Sequence, residues 1–230
     1  MNTFLNDDVN NHLPNYPNNY FDFGVFDGPY AIGEDGTKND TRGLLAKVTN
    51  YKHRGWDDQP PSLETFAEIT RVCRTWLIFG ANYYQPLGIP FKTPRREQFE
   101  AWRQNNPYGW IAWDKDNGKT DFNDFELALS NLTFPTQRVK FKWQGMLQGD
   151  MKNKQKRIHA TEKPIPLYSW IFRNFTTPGM RVIDGYLGSG ASAIAAHYAG
   201  LEFTGIEKHP GIFKDCMKRY NTITKQTKLL

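Results

Sequence analysis

Asp27-Gly28-Pro29-Tyr30 closes a short apolar run, Phe21 to Phe26, that reads FDFGVF. At a strand end those four residues bring together a carboxylate, a backbone carbonyl and an aromatic ring. The set suits a flat substrate with an exocyclic amine. The carboxylate and the carbonyl can accept its two N–H groups, and the ring can stack on its face. Such an amine is a weak nucleophile while its lone pair is delocalised into the heterocycle. Two acceptors favour a more pyramidal nitrogen, which attacks better. On a duplex base, this chemistry requires the base to leave the stack. Asp, Gly and Pro are also common turn residues, so taken alone the four read as a plain turn.

A second constellation lies near the other end of the chain. Met180 to Asp184 (MRVID) is followed by Leu187-Gly188-Ser189-Gly190 and then by the small-residue run Ala191 to Ala199. A glycine turn after a strand lets the backbone approach a ligand, and the next helix offers free N–H groups and its positive end. Glu207 stands 19 positions after Gly188, at the end of the apolar run Leu201 to Ile206. An acidic residue there can accept from both hydroxyls of a ribose. The turn therefore suits a nucleoside-containing cofactor. NAD stays open on these residues alone, because Ala193 stands where that fingerprint has its third glycine, a replacement the motif tolerates. An ordinary strand–helix turn with glycines for geometry is the plainer reading.

The elements that must position these residues can be read from spacing. Residues 1–20 are rich in Asn and carry Pro14 and Pro17, so they read as a loose, flexible N-terminal arm. Phe21 to Phe26 is a strand stopped by Gly28-Pro29. Residues 31–60 form a connection too long to be ordinary. Residues 62–75 are a helix with Ser62 as N-cap and Phe66, Ile69 and Val72 on one face, and Cys73 falls on it as a buried small hydrophobe. Trp76 to Gly80 and Trp110 to Trp113 are strands, and Asp114 to Lys119 is a turn. Residues 121–132 read as helical, and Arg138 to Trp143 as a half-exposed strand. Residues 164–175 and 210–221 are helices. The last strand–helix–strand unit implies a sheet that is at least partly parallel. No internal repeat or heptad is visible.

Composition bounds the rest. The chain has 230 residues, 29 Lys plus Arg against 24 Asp plus Glu, and a net charge of +5. That length suits one domain, since domains commonly hold ~100–200 residues. The charge is compatible with a nucleic-acid partner but does not show one. No apolar run approaches the ~20 residues of a membrane helix. The N-terminal residues do not have the form of a signal peptide. Cys73 and Cys216 are the two cysteines, which rules out a disulfide scaffold and favours a reducing compartment. The five histidines have no metal spacing, so no metal is expected.

Together the segments resemble the DNA amino-methyltransferases. Asp27-Gly28-Pro29-Tyr30 is similar to that family's catalytic Asp-Pro-Pro-Tyr, and Asp184-Gly185-Tyr186-Leu187-Gly188-Ser189-Gly190 to its S-adenosylmethionine motif, Asp-Pro-Phe-x-Gly-Ser-Gly. His159-Ala160-Thr161-Glu162-Lys163-Pro164 resembles the His-Pro-Thr-Gln-Lys-Pro segment that precedes it. Catalytic motif first and cofactor motif last is the permuted order of the β class. Further segments, among them Phe79-Gly80-Ala81-Asn82-Tyr83 and Trp110-Ile111-Ala112-Trp113-Asp114-Lys115, are similar to small phage and prophage adenine methylases. The resemblance covers roughly residues 21–220. It implies a Rossmann-like α/β fold: a mostly parallel seven-stranded sheet with one antiparallel strand and helices on both faces. The implied organisation is an arm over 1–20 and a single permuted domain over 21–230, with a catalytic half at 21–150 and a cofactor half at 157–221.

The resemblance also implies roles. Asp27 and the Gly28 carbonyl would hold the adenine amine, Pro29 would complete the turn, and Tyr30 would stack on the flipped base. Phe26, Asp27, Asp184, Tyr186, Gly188, Ser189, Gly190 and Lys208 would lie along S-adenosylmethionine. Glu207 would bind its ribose, and Thr161 and Lys163 would hold its methionine carboxylate. Asp in the first catalytic position favours adenine, since β-class cytosine-N4 enzymes usually have Ser there. DNA phosphates would be met by Arg42, Lys47, His53 and Arg54 in loop 31–60, by Arg95 and Arg96, and by Lys152, Lys154, Lys156 and Arg157. A bacterial or phage-infected cytoplasm and a possible homodimer are expected, with no membrane and no partner nuclease inferred. Two departures carry the alternative of a catalytically weakened DNA-binding or regulatory homologue. Gly28 replaces Pro and adds backbone freedom. Glu162 replaces Gln and sets a negative charge near Lys163. Cytosine-N4 and RNA are the remaining alternatives as targets.

Overall fold

The structure is a computed structural model that describes residues 2–32, 59–84, 109–116, 125–132, 135–144, 147–152, 157–158 and 161–225. Among the described residues, ten strands run in chain order: β1 (Thr3–Leu5), β2 (Phe21–Phe26), β3 (Cys73–Phe79), β4 (Gly109–Asp114), β5 (Phe125–Ser130), β6 (Gln137–Lys140), β7 (Trp143–Gln144), β8 (Leu147–Gln148), β9 (Arg181–Asp184) and β10 (Glu202–Ile206). The helices are α1 (Val9–His12), α2 (Leu63–Val72), α3 (Ile165–Phe175), α4 (Ala191–Tyr198) and α5 (Pro210–Thr224).

Eight strands form one sheet in the order β1-β10-β9-β2-β3-β5-β4-β6, and β7 and β8 pair as a separate ribbon. Every neighbouring pair in the large sheet is parallel except those made by β5, which runs against both β3 and β4. One antiparallel strand in a mostly parallel sheet is the expected fold, with eight strands where seven were expected. The central strands are apolar on both faces, as strands covered on both sides must be. Leu77, Phe79, Val182 and Phe203 point into one core cluster with Leu167, Ile171 and Phe172 of α3. Trp76, Ile78, Ile183 and Ile206 point into the other, with Val9, Leu13, Phe66 and Ile69. Each such side chain contributes about 1.5–3 kcal/mol by leaving water. Helix α4 is buried over Ala191 to Ala196, so its small residues are what close packing between sheet and α3 requires.

Three expectations are corrected. The first residues are not a loose arm: β1 pairs with β10 in the register Thr3↔Thr204 to Leu5↔Ile206, and Val9 and Leu13 are buried. The Asn-rich composition hid those few anchors. Residues 125–130 are a strand, not part of a helix. Phe125, Leu127 and Leu129 alternate with Glu126 and Ala128, and a run that short fits either period. Cys73 begins β3 rather than ending a helix, because α2 stops at Val72. Helix α2 otherwise starts where its spacing predicts, with Ser62 Oγ accepting from the Thr65 N–H at 3.2 Å. Among the described residues, no helix is long and apolar enough to cross a membrane.

Candidate active site

Strands β2 and β9 are parallel neighbours, with Val25 opposite Asp184. From β2 the chain returns through α2 to β3 on one side. From β9 it returns through α4 to β10 on the other. The connections part at this point, and a crevice outside the carboxyl ends of β2 and β9 is the place where open α/β sheets bind ligands. Asp27-Gly28-Pro29-Tyr30 leaves one lip of it and the glycine turn leaves the other.

On the first lip, Asp27 Oδ1 accepts from the Tyr30 hydroxyl at 2.7 Å and from the Lys163 ammonium. Tyr30 also lies 2.8 Å from Glu126 Oε1, so its one proton serves one carboxylate at a time. Lys163 is buried, with Nζ 2.5 Å from Glu126 Oε1 and 3.1 Å from the Tyr30 hydroxyl. Glu126 Oε2 is in turn 2.8 Å from Lys115 Nζ. Burial pushes the Asp27 carboxyl up. The Lys163 ammonium opposes that, Glu126 adds to it, and the outcome lies above the ordinary range. Burial acts on Glu126 in the same sense, but Lys163 and Lys115 together hold it well below the ordinary range. Burial works against the Lys163 charge, yet Asp27 and Glu126 keep its pKa raised.

The carbonyl of Gly28 accepts from the buried Tyr84 hydroxyl at 2.9 Å. The Tyr30 ring stacks on Tyr83, with centroids 5.3 Å apart and planes at 14°. Its edge lies over Gly80, where φ is 66° and a Cβ would come within 2.2 Å of the ring. Glycine is required there on both counts.

On the second lip, Asp184 Oδ1 accepts from the Tyr186 N–H at 2.9 Å and Oδ2 from the Ser192 hydroxyl at 2.5 Å. Gly188 (φ 50°) and Gly190 (φ 77°) take left-handed conformations. Glu207 Oε2 accepts from the Gly188 N–H at 2.9 Å and Oε1 from the His209 N–H at 2.8 Å. Behind this lip, the side chain of Glu162 is fully buried and 2.7 Å from Arg219 Nη1, which also donates to the Ser189 carbonyl at 3.3 Å.

Burial pushes Asp184 up to about 7 against the hydrogen bonds from Ser192 and Tyr186, with Asp27 and Glu207 adding to the rise. An unfolded aspartate ionises at the ordinary 3.8. Between these values the folded chain keeps a proton that the unfolded chain has lost. Stability from this group is thus fully present below the lower value and declines as pH rises through the upper one. Relative to Asp184→Asn, the wild-type protein is expected to lose unfolding free energy between about pH 4 and 7. Urea unfolding of both proteins at the two ends of that window measures it.

The structure therefore brings together Asp27, Gly28, Tyr30 and Lys163 on one lip and Asp184, Tyr186, Gly188, Ser189, Gly190 and Glu207 on the other. Three of the residues assigned to the cofactor have other partners or surroundings in the structure. Lys163 has three N–H donors, and Asp27, Glu126 and Tyr30 take them. The Phe26 ring is buried in the core cluster beneath the site. Lys208 is exposed and pairs with Asp8 at 2.7 Å. Thr161 is exposed, Lys152 is exposed and Arg157 half-buried. Arg42, Lys47, His53, Arg54, Arg95, Arg96, Lys154 and Lys156 lie outside the described residues. Sequence reasoning missed Glu126, Tyr84, Ser192 and Arg219. Only Glu126 left a signal, as an acid at an apolar-alternating strand's start.

Residues 136–218 match the family model described as DNA methylase. Over that span the chain is similar to the DNA methylases. The matched span holds Lys163, the glycine turn and Glu207, and the turn Asp27 to Tyr30 precedes it, in the permuted order. The type II methyltransferase M2.DpnII of Streptococcus pneumoniae is 22% identical over 84% of this chain and 80% of its own length. The solved M1.HpyAVI–SAM complex is 18% identical, covers 96% of this chain and 100% of its own, and superposes with a TM-score of 0.56. The cytosine-N4-specific PvuII DNA methyltransferase covers 100% of this chain and 88% of its own, at 12% identity and a TM-score of 0.54. The fold is thus that of DNA methyltransferases, and it is shared by at least one enzyme of the N4 kind.

The residues present fit S-adenosylmethionine. Glu207 accepts the backbone N–H groups of Gly188 and His209, which sets its carboxylate beside the glycine turn. At Gly188 the nearest atom to an added Cβ is a carbonyl 3.7 Å away, so the turn leaves its outer face open. Among the described residues, no group of three or more His, Cys, Asp or Glu could hold a metal ion.

Proposed function

We propose that this protein transfers a methyl group from S-adenosylmethionine to the N6 amine of adenine in DNA. The observation that carries the reading is Asp27 beside the Gly28 carbonyl, at the end of the strand adjoining the glycine turn. Glu207 would accept from the ribose, and the backbone at Gly188 and Gly190 would run along the methionine part. The cofactor supplies, when bound, an electrophilic methyl carbon on a sulfonium. Asp27 Oδ2 and the Gly28 oxygen accept the two amine N–H groups and aim the nitrogen lone pair across the crevice. Held there, the amine nitrogen would take the methyl carbon as the carbon–sulfur bond gives way, its pair staying on sulfur. The methylated nitrogen, now cationic, would then release one proton to solvent. Asp27 serves as acceptor and orienter, since a neutral exocyclic amine is too weak an acid to be deprotonated first. Most of the acceleration is orientation. The basic segments around residues 31–60, 92–96 and 152–157 would meet the phosphates. Sequencing of DNA from cells expressing the protein, with detection of modified bases, tests the reading: methyl groups on adenine N6 within a recurrent site are expected.

Asp27 favours adenine over cytosine N4 by the family resemblance, where the fold alone is neutral. Two observations speak against the weakened homologue. The freedom that Gly28 introduces is taken up by Tyr84, which fixes the carbonyl. The charge of Glu162 is met by Arg219 and does not compete for Lys163. A Cβ at position 28 would come within 2.9 Å of the Pro61 ring and 3.2 Å of the Tyr186 ring. Gly28→Pro is therefore expected to lower both the melting temperature and methyl transfer, not to restore activity. Thermal melts and tritium transfer to duplex DNA measure this. A large gain in rate would revive the weakened-homologue reading.

A further inference from the structure

Glu126 stands at the start of β5, and β5 runs against β3 with Ala128 opposite Phe79. An antiparallel strand brings its first residues to the carboxyl ends of its parallel neighbours. Glu126 therefore reaches the lip where Asp27 stands, 99 positions earlier in the chain. Its two oxygens are both engaged, Oε1 by Lys163 at 2.5 Å, with the Tyr30 hydroxyl shared between it and Asp27, and Oε2 by Lys115 at 2.8 Å. Two carboxylates and two ammonium groups thus balance in a water-poor corner, as buried charges must. Asp27 Oδ1 takes Lys163 and Tyr30, whereas Oδ2 has no partner among the described residues.

We infer that Glu126 is a positioning residue for the transfer step, holding Lys163 on one oxygen of Asp27 so that the other is left to accept from the adenine amine. The inference rests on the proposed activity. Without Glu126, Lys163 loses its second anchor and can swing along the Asp27 carboxylate to cover both oxygens. The carboxylate then rotates or is blocked, and a small misplacement of a reacting group costs on the order of 100-fold. Lys163 on this account serves the catalytic carboxylate and leaves cofactor binding to other residues.

The test uses Glu126→Gln, nearly the same shape, and Lys163→Met. Three quantities are read in each full-length protein: calorimetric affinity for S-adenosylmethionine, kcat and KM for DNA methylation, and the carboxyl 13C titration of Asp27, assigned with Asp27→Asn. The groups facing Asp27 are Lys163, Tyr30 and Glu126, with Tyr168 and Asp184 beyond. Cofactor affinity is expected to stay within about threefold of wild type while kcat falls on the order of 100-fold with KM little changed. The Asp27 titration should move up in Lys163→Met, which removes the attractive charge. It should move down in Glu126→Gln, which removes a repulsive one. Opposite shifts are not what general loosening would produce. Wild-type kcat in Glu126→Gln, or a loss of cofactor affinity in Lys163→Met as large as its loss of rate, overturns the inference. If Lys163→Met does not fold, Glu126→Gln decides alone. If the wild-type protein transfers no methyl to DNA, the activity reading fails separately, and an unmoved Asp27 titration in Glu126→Gln still overturns the positioning role.

Discussion

Asp27→Asn is expected to lower methyl transfer by about 10²–10³-fold or more, the scale of losing one preorganised group at the reacting atom. The substitution keeps the shape of the side chain. It replaces the carboxylate, whose Oδ2 is proposed to accept from the amine, by an amide that donates from one of its two positions. Glu126 still pairs with Lys163, so the buried ammonium is not abandoned and the protein should fold. Affinity for S-adenosylmethionine should stay within a few-fold, because Glu207 and the glycine turn belong to β9 and β10 and not to β2. Calorimetry for the cofactor and single-turnover transfer for the rate separate the two effects. A variant that loses cofactor binding and rate together would place Asp27 among the cofactor's contacts instead.

Arg219→Met is expected to cost about 3–5 kcal/mol of stability, the range for breaking a buried ion pair from one side. The Glu162 side chain has no exposed surface and Arg219 keeps only 10%. The variant leaves a carboxylate in the core beside the Trp143 indole, which already donates to the Glu162 carbonyl at 2.7 Å. Adding Glu162→Gln should recover much of the loss, since replacing both members of such a pair is often neutral. Urea unfolding of the single and double variants measures the coupling. Arg219 also donates to the Ser189 carbonyl, so the single variant should weaken cofactor binding through the glycine turn. A cost below about 1 kcal/mol, the level of an exposed pair, would contradict this account.

Both lips of the crevice were legible in the sequence because each is local. Asp27 follows its strand directly, and Gly188, Gly190 and Glu207 lie within one strand–helix–strand unit whose spacing is fixed by geometry. The partners of those residues come from far along the chain and left weak traces. Tyr84 reaches Gly28 from 56 positions away and Arg219 reaches Glu162 from 57. Neither distance has a period to read. Glu126 was obscured for another reason: six residues of alternating character fit a strand or a helix turn, and only the partners β3 and β4 decide between them. The N-terminal strand was missed because three residues, Thr3 to Leu5, suffice to extend a sheet whose neighbouring edge is already built. Lys163 was legible as important, but composition could not say whether its three donors face a cofactor or a catalytic carboxylate.

The central claim is that the crevice between β2 and β9 methylates an adenine amine. Its most direct test is mass spectrometry of nucleosides from duplex DNA incubated with the purified protein and S-adenosylmethionine, with Asp27→Asn in parallel. The account predicts N6-methyladenine with the wild-type protein and at most a trace with the variant. N4-methylcytosine as the sole product, or equal N6-methyladenine from both proteins, would contradict it.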